Sequence, residues 1–311
     1  MRRGVFSMRT CRVKAYAKVN LFLDIVGTSN GYHDLDTVVV TVNVFDNVSV
    51  TRRKDDKIVL KTGGGLYYVR DNEDNNAYKA AKAFCDAFNV NGVDISINKN
   101  IPVGSGLGGS SADIAGVLKA MKKLYGIEED IKPLADSLGS DSGYLLTGGY
   151  ARLLGRGDKV EPLDIDKKLY ILVAPSKGGC NTRECFKEYD SSPLSPVEGG
   201  ADRLIENLKN NKVVGSDFYN ALYPAACRVN DRILSVYELI AALSPSAAFM
   251  SGSGSSVCAI FETPELCYWA LEKVRKLSRG AFVTETLSSS ELKPLPFFRR
   301  SLYSLTDADD D

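Results

Sequence analysis

Apolar and polar residues alternate along Tyr16–Val26, Thr37–Phe45, Asn47–Arg52 and Val93–Asn98, segments rich in Val, Ile, Tyr and Phe, and the alternation predicts half-buried strands. A helix is expected from about Asn75 to Phe88. Past Val93–Asn98, the residues Ile114, Val117, Leu118, Met121 and Leu124 recur at helical spacing, and Ile127–Leu138, with Glu128, Glu129, Asp130, Lys132 and Asp136, reads as a polar helix. Gly148–Gly157 predicts a strand between Gly turns, and Leu169–Ala174 a buried strand stopped by Pro175. Asp190–Gly200, with its serines, prolines and glycines, is the most loop-like internal stretch. Helical spacing returns at Leu204/Ile205/Leu208, Val229/Ile233/Leu234 and Leu266/Trp269/Ala270, framing strands at Ser256–Glu262 and Ala281–Thr286. The mixture is α+β. A boundary between 160 and 168 divides it into residues 1–165 and 166–295, followed by a tail, 296–311, whose Asp307, Asp309, Asp310 and Asp311 are expected to fray in solvent.

The segment Lys99-Asn100-Ile101-Pro102-Val103-Gly104-Ser105-Gly106-Leu107-Gly108-Gly109-Ser110-Ser111-Ala112-Asp113 joins a strand to a helix. Unpaired backbone N–H groups at a helix N-terminus attract phosphate, and glycines let the backbone approach it closely. A tight structural turn with a Ser or Asp cap is the alternative. Gly104, Gly106 and Gly109 fit the dinucleotide pattern G-x-G-x-x-G, but the acidic residues about twenty positions on, Glu128 and Glu129, lie in a polar helix rather than at the end of a second strand. No Gly-Lys-Ser/Thr follows, which excludes a Walker loop, and no His-Arg-Asp or Asp-Phe-Gly is present, which excludes a protein kinase.

Composition narrows the partners. The 311 residues carry 39 Lys plus Arg against 39 Asp plus Glu, which points away from nucleic acid and anionic membranes and toward a small-molecule partner. The 7 cysteines contain no C-x-x-C pair and suit reduced thiols in a cytoplasmic protein. His33 is the single histidine, so a His-rich metal centre is excluded. Met1–Arg12 is basic without a signal-peptide apolar run, and no stretch reaches the length of a membrane span.

Phosphoryl transfer needs a phosphate cradle, charge neutralisation and a proton acceptor for the attacking hydroxyl. Lys18 and Asn20 share one face of an apolar strand, where burial demands partners or a ligand; an edge strand with a solvated face fits equally. Asp141 sits in Gly139-Ser140-Asp141-Ser142-Gly143, a turn that also suits an Asx-turn or helix cap. Gly27–Asp36 is expected to be a loop presenting Tyr32 and His33, an aromatic and an imidazole able to hold a flat heterocycle. Phe249–Ser256, rich in Gly and Ser, can wrap a phosphate or permit close packing.

The phosphate loop, Pro102 to Ala112, resembles that of the GHMP kinases. The order of motifs resembles one branch, the 4-diphosphocytidyl-2-C-methyl-D-erythritol kinases: Ala17–Leu21, Gly31–Leu35, Lys99–Pro102, Gly106–Gly109, Gly155–Gly157, Thr182–Phe186 and Met250–Gly254. The resemblance implies a two-domain GHMP fold with ATP and substrate meeting in the inter-domain cleft. It also implies ATP- and Mg²⁺-dependent phosphorylation of the 2-hydroxyl of a cytidine diphosphate sugar alcohol on the non-mevalonate route to isoprenoids. Another GHMP small-molecule kinase and a catalytically inactive binding homologue are the alternatives. By the same resemblance Asp141 is the base and Lys18 its partner. Pro102, Gly104, Ser105, Gly106, Leu107, Gly108, Gly109, Ser110 and Ser111, with Asn75 and Lys99, face ATP. Asn20, Tyr32, His33, Thr182 and Gly252 face the acceptor. Where the family has Ala-Asp-Val-Pro, this chain has Ser140-Asp141-Ser142-Gly143, which predicts a looser turn beside the base.

Overall fold

The structure, a computed structural model, describes residues 9–29 and 31–292. The expected acidic tail at 296–311 lies outside the described residues. The first half contains β1 (Thr10–Ser29), β2 (Tyr32–Arg52), β3 (Val59–Thr62), α1 (Asn76–Phe88), β4 (Val93–Asn98), α2 (Gly109–Tyr125), α3 (Lys132–Leu138), α4 (Ser142–Leu145), β5 (Tyr150–Gly155) and β6 (Lys159–Leu163). The second contains β7 (Tyr170–Pro175), α5 (Thr182–Asp190), α6 (Gly200–Lys209), β8 (Tyr219–Asn220), α7 (Tyr223–Val229) and α8 (Arg232–Ala241). It closes with β9 (Ala247–Met250), β10 (Ser256–Phe261), α9 (Pro264–Val274) and β11 (Phe282–Leu287).

β1 and β2 form one long antiparallel hairpin running from Thr10↔Thr51 to Ser29↔Tyr32. Two expectations change here. The strands expected at Thr37–Phe45 and Asn47–Arg52 are a single strand, because pairing jumps from Tyr16↔Phe45 to Ala17↔Val42 and the bulge absorbs Asn43 and Val44, where the alternation breaks. The expected loop Gly27–Asp36 is paired almost to its tip, so Tyr32 and His33 stand on β2 opposite Ser29 and Thr28. That end is largely exposed and carries no apolar alternation by which to read it as strand.

α2 packs its apolar stripe, including Ile114, Val117, Leu118 and Met121, on this hairpin. Gly116 permits the contact, since a Cβ there would lie 3.0 Å from both Ala15 Cβ and Val48 Cγ2. α1 covers α2 with Ala77, Ala80, Ala81 and Phe84. A second core forms between β7, β10 and the helices α5, α7, α8 and α9, around Leu172, Ala174, Ile233, Val257 and Ala270. β11 joins the layers by pairing with β7 and, at Thr286↔Val42 and Leu287↔Thr41, with β2. The fold is α+β, with the N-terminus of α2 at the junction.

Two helical expectations are also corrected. The polar helix expected over Ile127–Leu138 is confined to Lys132–Leu138, because Pro133 sits in a first turn, where its missing N–H costs nothing. The stripe Val229/Ile233/Leu234 spans two helices broken at Asn230, which caps α7 in an extended conformation.

Candidate active site

The loop before α2 is fixed through its carbonyl oxygens. Lys18 N–H donates to Leu107 O at 3.0 Å, Ser256 N–H to Ser105 O at 3.0 Å and Cys180 N–H to Gly104 O at 3.1 Å. The Ser251 hydroxyl donates to Gly106 O at 3.0 Å. Gly106 adopts φ 77°, and a Cβ there would fall 2.1 Å from Ser251 O. Gly108, the N-cap residue of α2, adopts φ 71° and provides no side-chain cap, so the first-turn N–H groups remain available to an anion. The alternative of a side-chain-capped turn is thereby excluded.

Lys18 runs beneath Gly108, where a Cβ would sit 3.0 Å from the lysine Cγ. It is buried, and its Nζ donates to Asn20 Oδ1 at 2.5 Å and lies 3.3 Å from Asp141 Oδ2. Asn20 is oriented in turn, its amide donating to Thr37 Oγ1 at 2.9 Å while Thr37 donates to Phe22 O at 2.6 Å. The solvated-edge reading of Lys18 and Asn20 therefore does not hold. Nor is Asp141 a side-chain cap: it occupies the N-cap position of α4 without a capping bond. The expected looseness beside it is corrected too, because Ser142 and Gly143 are buried and a Cβ on Gly143 would fall 1.8 Å from Asp136 Oδ1.

These groups line a cleft of about 910 Å³. Pro102 and Gly104 through Ser111 form one wall, joined by Lys18, Asn20, Asn75, Lys99, Asp141, Thr182 and Gly252. Asn75 is spent locally, its side chain accepting from Ala77 N–H and donating to Arg70 O. Its neighbour Asn76, which sequence reading passed over, donates to Ser110 Oγ at 2.6 Å; nothing in an asparagine beside a cap marks it in advance. Thr182 and Ser253 hydroxyls bond at 2.8 Å, and Asn220 holds the Gly-Ser loop through Met250 O and Gly252 O.

Tyr32 and His33 do not line this cleft, but each packs on a residue that does. The Arg156 guanidinium stands 3.8 Å from the Tyr32 ring centroid, and Phe186 lies 4.9 Å from His33 at an interplanar angle of 30°. His33 Nε2 lies 2.7 Å from Asp190 Oδ1.

Beneath the loop, the Lys99 ammonium is held between Asp46 and Asp113. Asp46 also accepts from Asn100 N–H at 2.5 Å and Ile101 N–H at 2.9 Å, which fixes the entry to the loop. Burial alone would lower the Lys99 ammonium, but Asp113 and Asp46 together hold it above its ordinary value. Burial, reinforced by the Asp46 charge, pushes the Asp113 carboxyl up to about 7 in spite of Lys99.

Residues 75–151 match the GHMP kinases N terminal domain. A homoserine kinase from Cytophaga hutchinsonii shares the fold, with a TM-score of 0.69 at 17% identity over 93% of this chain and 97% of that one. The domain match, together with the relatives below, places the chain among the GHMP kinases. A 4-diphosphocytidyl-2-C-methyl-D-erythritol kinase of Clostridium beijerinckii is 34% identical over 286 residues, 89% of this chain and 100% of the relative. One from Clostridium perfringens is 32% identical over 295 residues, 90% of this chain and 100% of the relative. A crystal structure of 4-(cytidine 5'-diphospho)-2C-methyl-D-erythritol kinase superposes with a TM-score of 0.76 at 29% identity, covering 88% of this chain and 98% of that one. The chain belongs to the 4-diphosphocytidyl-2-C-methyl-D-erythritol kinase family.

The buried triad has a pH signature. With its folded pKa near 7 and an ordinary unfolded value of about 3.9, Asp113 binds a proton more tightly folded than unfolded. Its contribution is full below about pH 4 and is lost as pH rises through about 7. Thermal melts at several pH values should show wild-type stability falling more steeply across that window than stability of Asp113→Asn; parallel curves would remove the proton from this site.

Proposed function

We infer that this chain transfers the γ-phosphoryl group of ATP to the 2-hydroxyl of 4-diphosphocytidyl-2-C-methyl-D-erythritol. The observation that carries the chemistry is the Lys18–Asp141 pair at 3.3 Å, next to an uncapped helix N-terminus in one cleft. The ATP phosphates lie against the loop N–H groups and the hydroxyls of Ser110 and Ser111. Asp141 takes the proton from the acceptor hydroxyl as the oxygen attacks. Lys18, its ammonium aimed by Asn20, stabilises the charge on that oxygen and on the transferring group.

Magnesium fits the donors available. No group of three or more metal-binding side chains occurs among the described residues, but the hydroxyls of Ser110 and Ser111 are hard oxygen donors of the kind that Mg²⁺ takes alongside phosphates. When bound with ATP, the ion neutralises phosphate charge.

The acceptor runs from Asp141 past Thr182 and Gly252 to Phe186, where the cytosine ring meets Tyr32 and His33. Asp190 favours the Nε2–H form of His33, leaving Nδ1 to accept from an exocyclic amine. Phe186 supplies a ring face beside it. Free thiols at all seven cysteines suit a cytoplasmic location, and no helix of the described residues is long and apolar enough to cross a membrane.

An ATP-consumption assay over a panel of acceptors tests the function: turnover is expected with the cytidine diphosphate sugar alcohol and not with homoserine or mevalonate, and the reverse would reassign the chain within its superfamily. Asp141→Asn should lower kcat by about 10²–10⁴-fold while ATP affinity stays normal; retention of more than about a tenth of the rate would leave Asp141 a turn residue.

His33→Ala removes a directional hydrogen bond remote from the reacting oxygen, worth about 0.5–1.5 kcal/mol, so acceptor KM should rise several-fold with ATP KM unchanged. An unaltered acceptor KM would take the cytosine ring away from His33.

A further inference from the structure

A second cleft, of about 880 Å³, lies against the outer side of the phosphate loop and shares Pro102, Val103 and Gly104 with the first. Lys177, Lys276 and Arg279 line it, all exposed, and no carboxylate does. In a chain whose formal charges balance, this is a concentration of one sign. None of the three cations makes an ion pair among the described residues, in contrast to Arg152 with Asp36 and Asp202, or Arg228 with Glu188.

The floor of this cleft is the turn from Pro175 to Cys180, which is tied to its surroundings at several points. Ser278 Oγ donates to Pro175 O at 2.7 Å, and Asn230 Nδ2 donates to Gly179 O at 2.8 Å. The turn ends at Cys180, whose N–H holds Gly104 O of the phosphate loop. Gly179 packs so closely there that a Cβ would stand 3.1 Å from Gly104 O. A ligand seated between Lys177 and the segment Lys276–Arg279 therefore bears on one of the bonds that set the loop.

We propose that this cleft is a second anion site, taking a compact ligand with a phosphate or diphosphate group, and that its occupancy alters ATP affinity through the Cys180–Gly104 bond. Lysine supplies a point charge and Arg279 a planar fork for phosphate oxygens. The site is separate from the Lys18–Asp141 chemistry, and its binding can be read without turnover.

The test is calorimetry with inorganic pyrophosphate on the full chain, with the ATP site first saturated with ADP. Wild type should bind one further pyrophosphate, and Lys276→Ala/Arg279→Ala should weaken that binding by at least about tenfold, the loss expected on removing a charge-assisted bond. Added pyrophosphate should also shift the Kd for ADP in wild type and not in the double variant. No binding with ADP present, or equal binding by the double variant, would overturn the site; binding without a shift in ADP affinity would overturn the coupling. The double variant's fold is checked by its unaltered ADP binding in the absence of pyrophosphate.

Discussion

The phosphate loop is held by its carbonyl oxygens, and the rest of the cleft depends on that. Backbone N–H groups from Lys18 on β1, Cys180 before α5 and Ser256 on β10 each take one carbonyl, and Ser251 takes another. A loop restrained from behind in this way holds its N–H donors in fixed positions, and preorganised donors do not have to be reordered when an anion arrives. Because the anchors come from both halves of the chain, this wall of the cleft forms only when β1 and β10 are both in place. This explains why so much sequence separates the motifs of a single site.

The same construction places charge where burial would otherwise forbid it. Lys18 and Lys99 are both nearly inaccessible, yet their arrangements differ. Lys99 is enclosed by Asp46 and Asp113 below the loop, a closed ion cluster that supports its entry. Lys18 has one amide partner and one carboxylate at longer range, and it faces the cleft. A buried ammonium with incomplete local compensation is poised to interact with charge that develops in the cleft.

Much of this was legible in the sequence, for identifiable reasons. The strand before the loop, the apolar stripe of α2 and the glycine spacing are local patterns, and the folded chain keeps them. Lys18 and Asn20 were readable as a same-face pair, but their partners Thr37, Ser251 and Asp141 lie far along the chain, so only the fold could choose between a solvated edge and a buried pair. The fusion of two expected strands into β2 required a bulge, which has no sequence signature apart from broken alternation. Asn76, Phe186 and Asp190 escaped notice as individual site residues because each is unremarkable in its own segment and acquires meaning through a distant neighbour, Ser110 for the first and His33 for the other two. Lys99, read as a nucleotide contact, is found with its ammonium already engaged by two carboxylates.

The central claim is that Lys18 acts on the reacting oxygen while its carbon stem merely supports Gly108. Lys18→Met keeps the stem and removes the ammonium, which separates the two. Rapid-quench measurement of phosphoryl transfer in a single turnover, with ATP affinity measured on the same protein, should show transfer slowed by about 10²–10⁴-fold and ATP binding nearly unchanged. Transfer at the wild-type rate would contradict the assignment, and a collapse of ATP affinity with normal transfer at saturation would make Lys18 part of the phosphate wall instead.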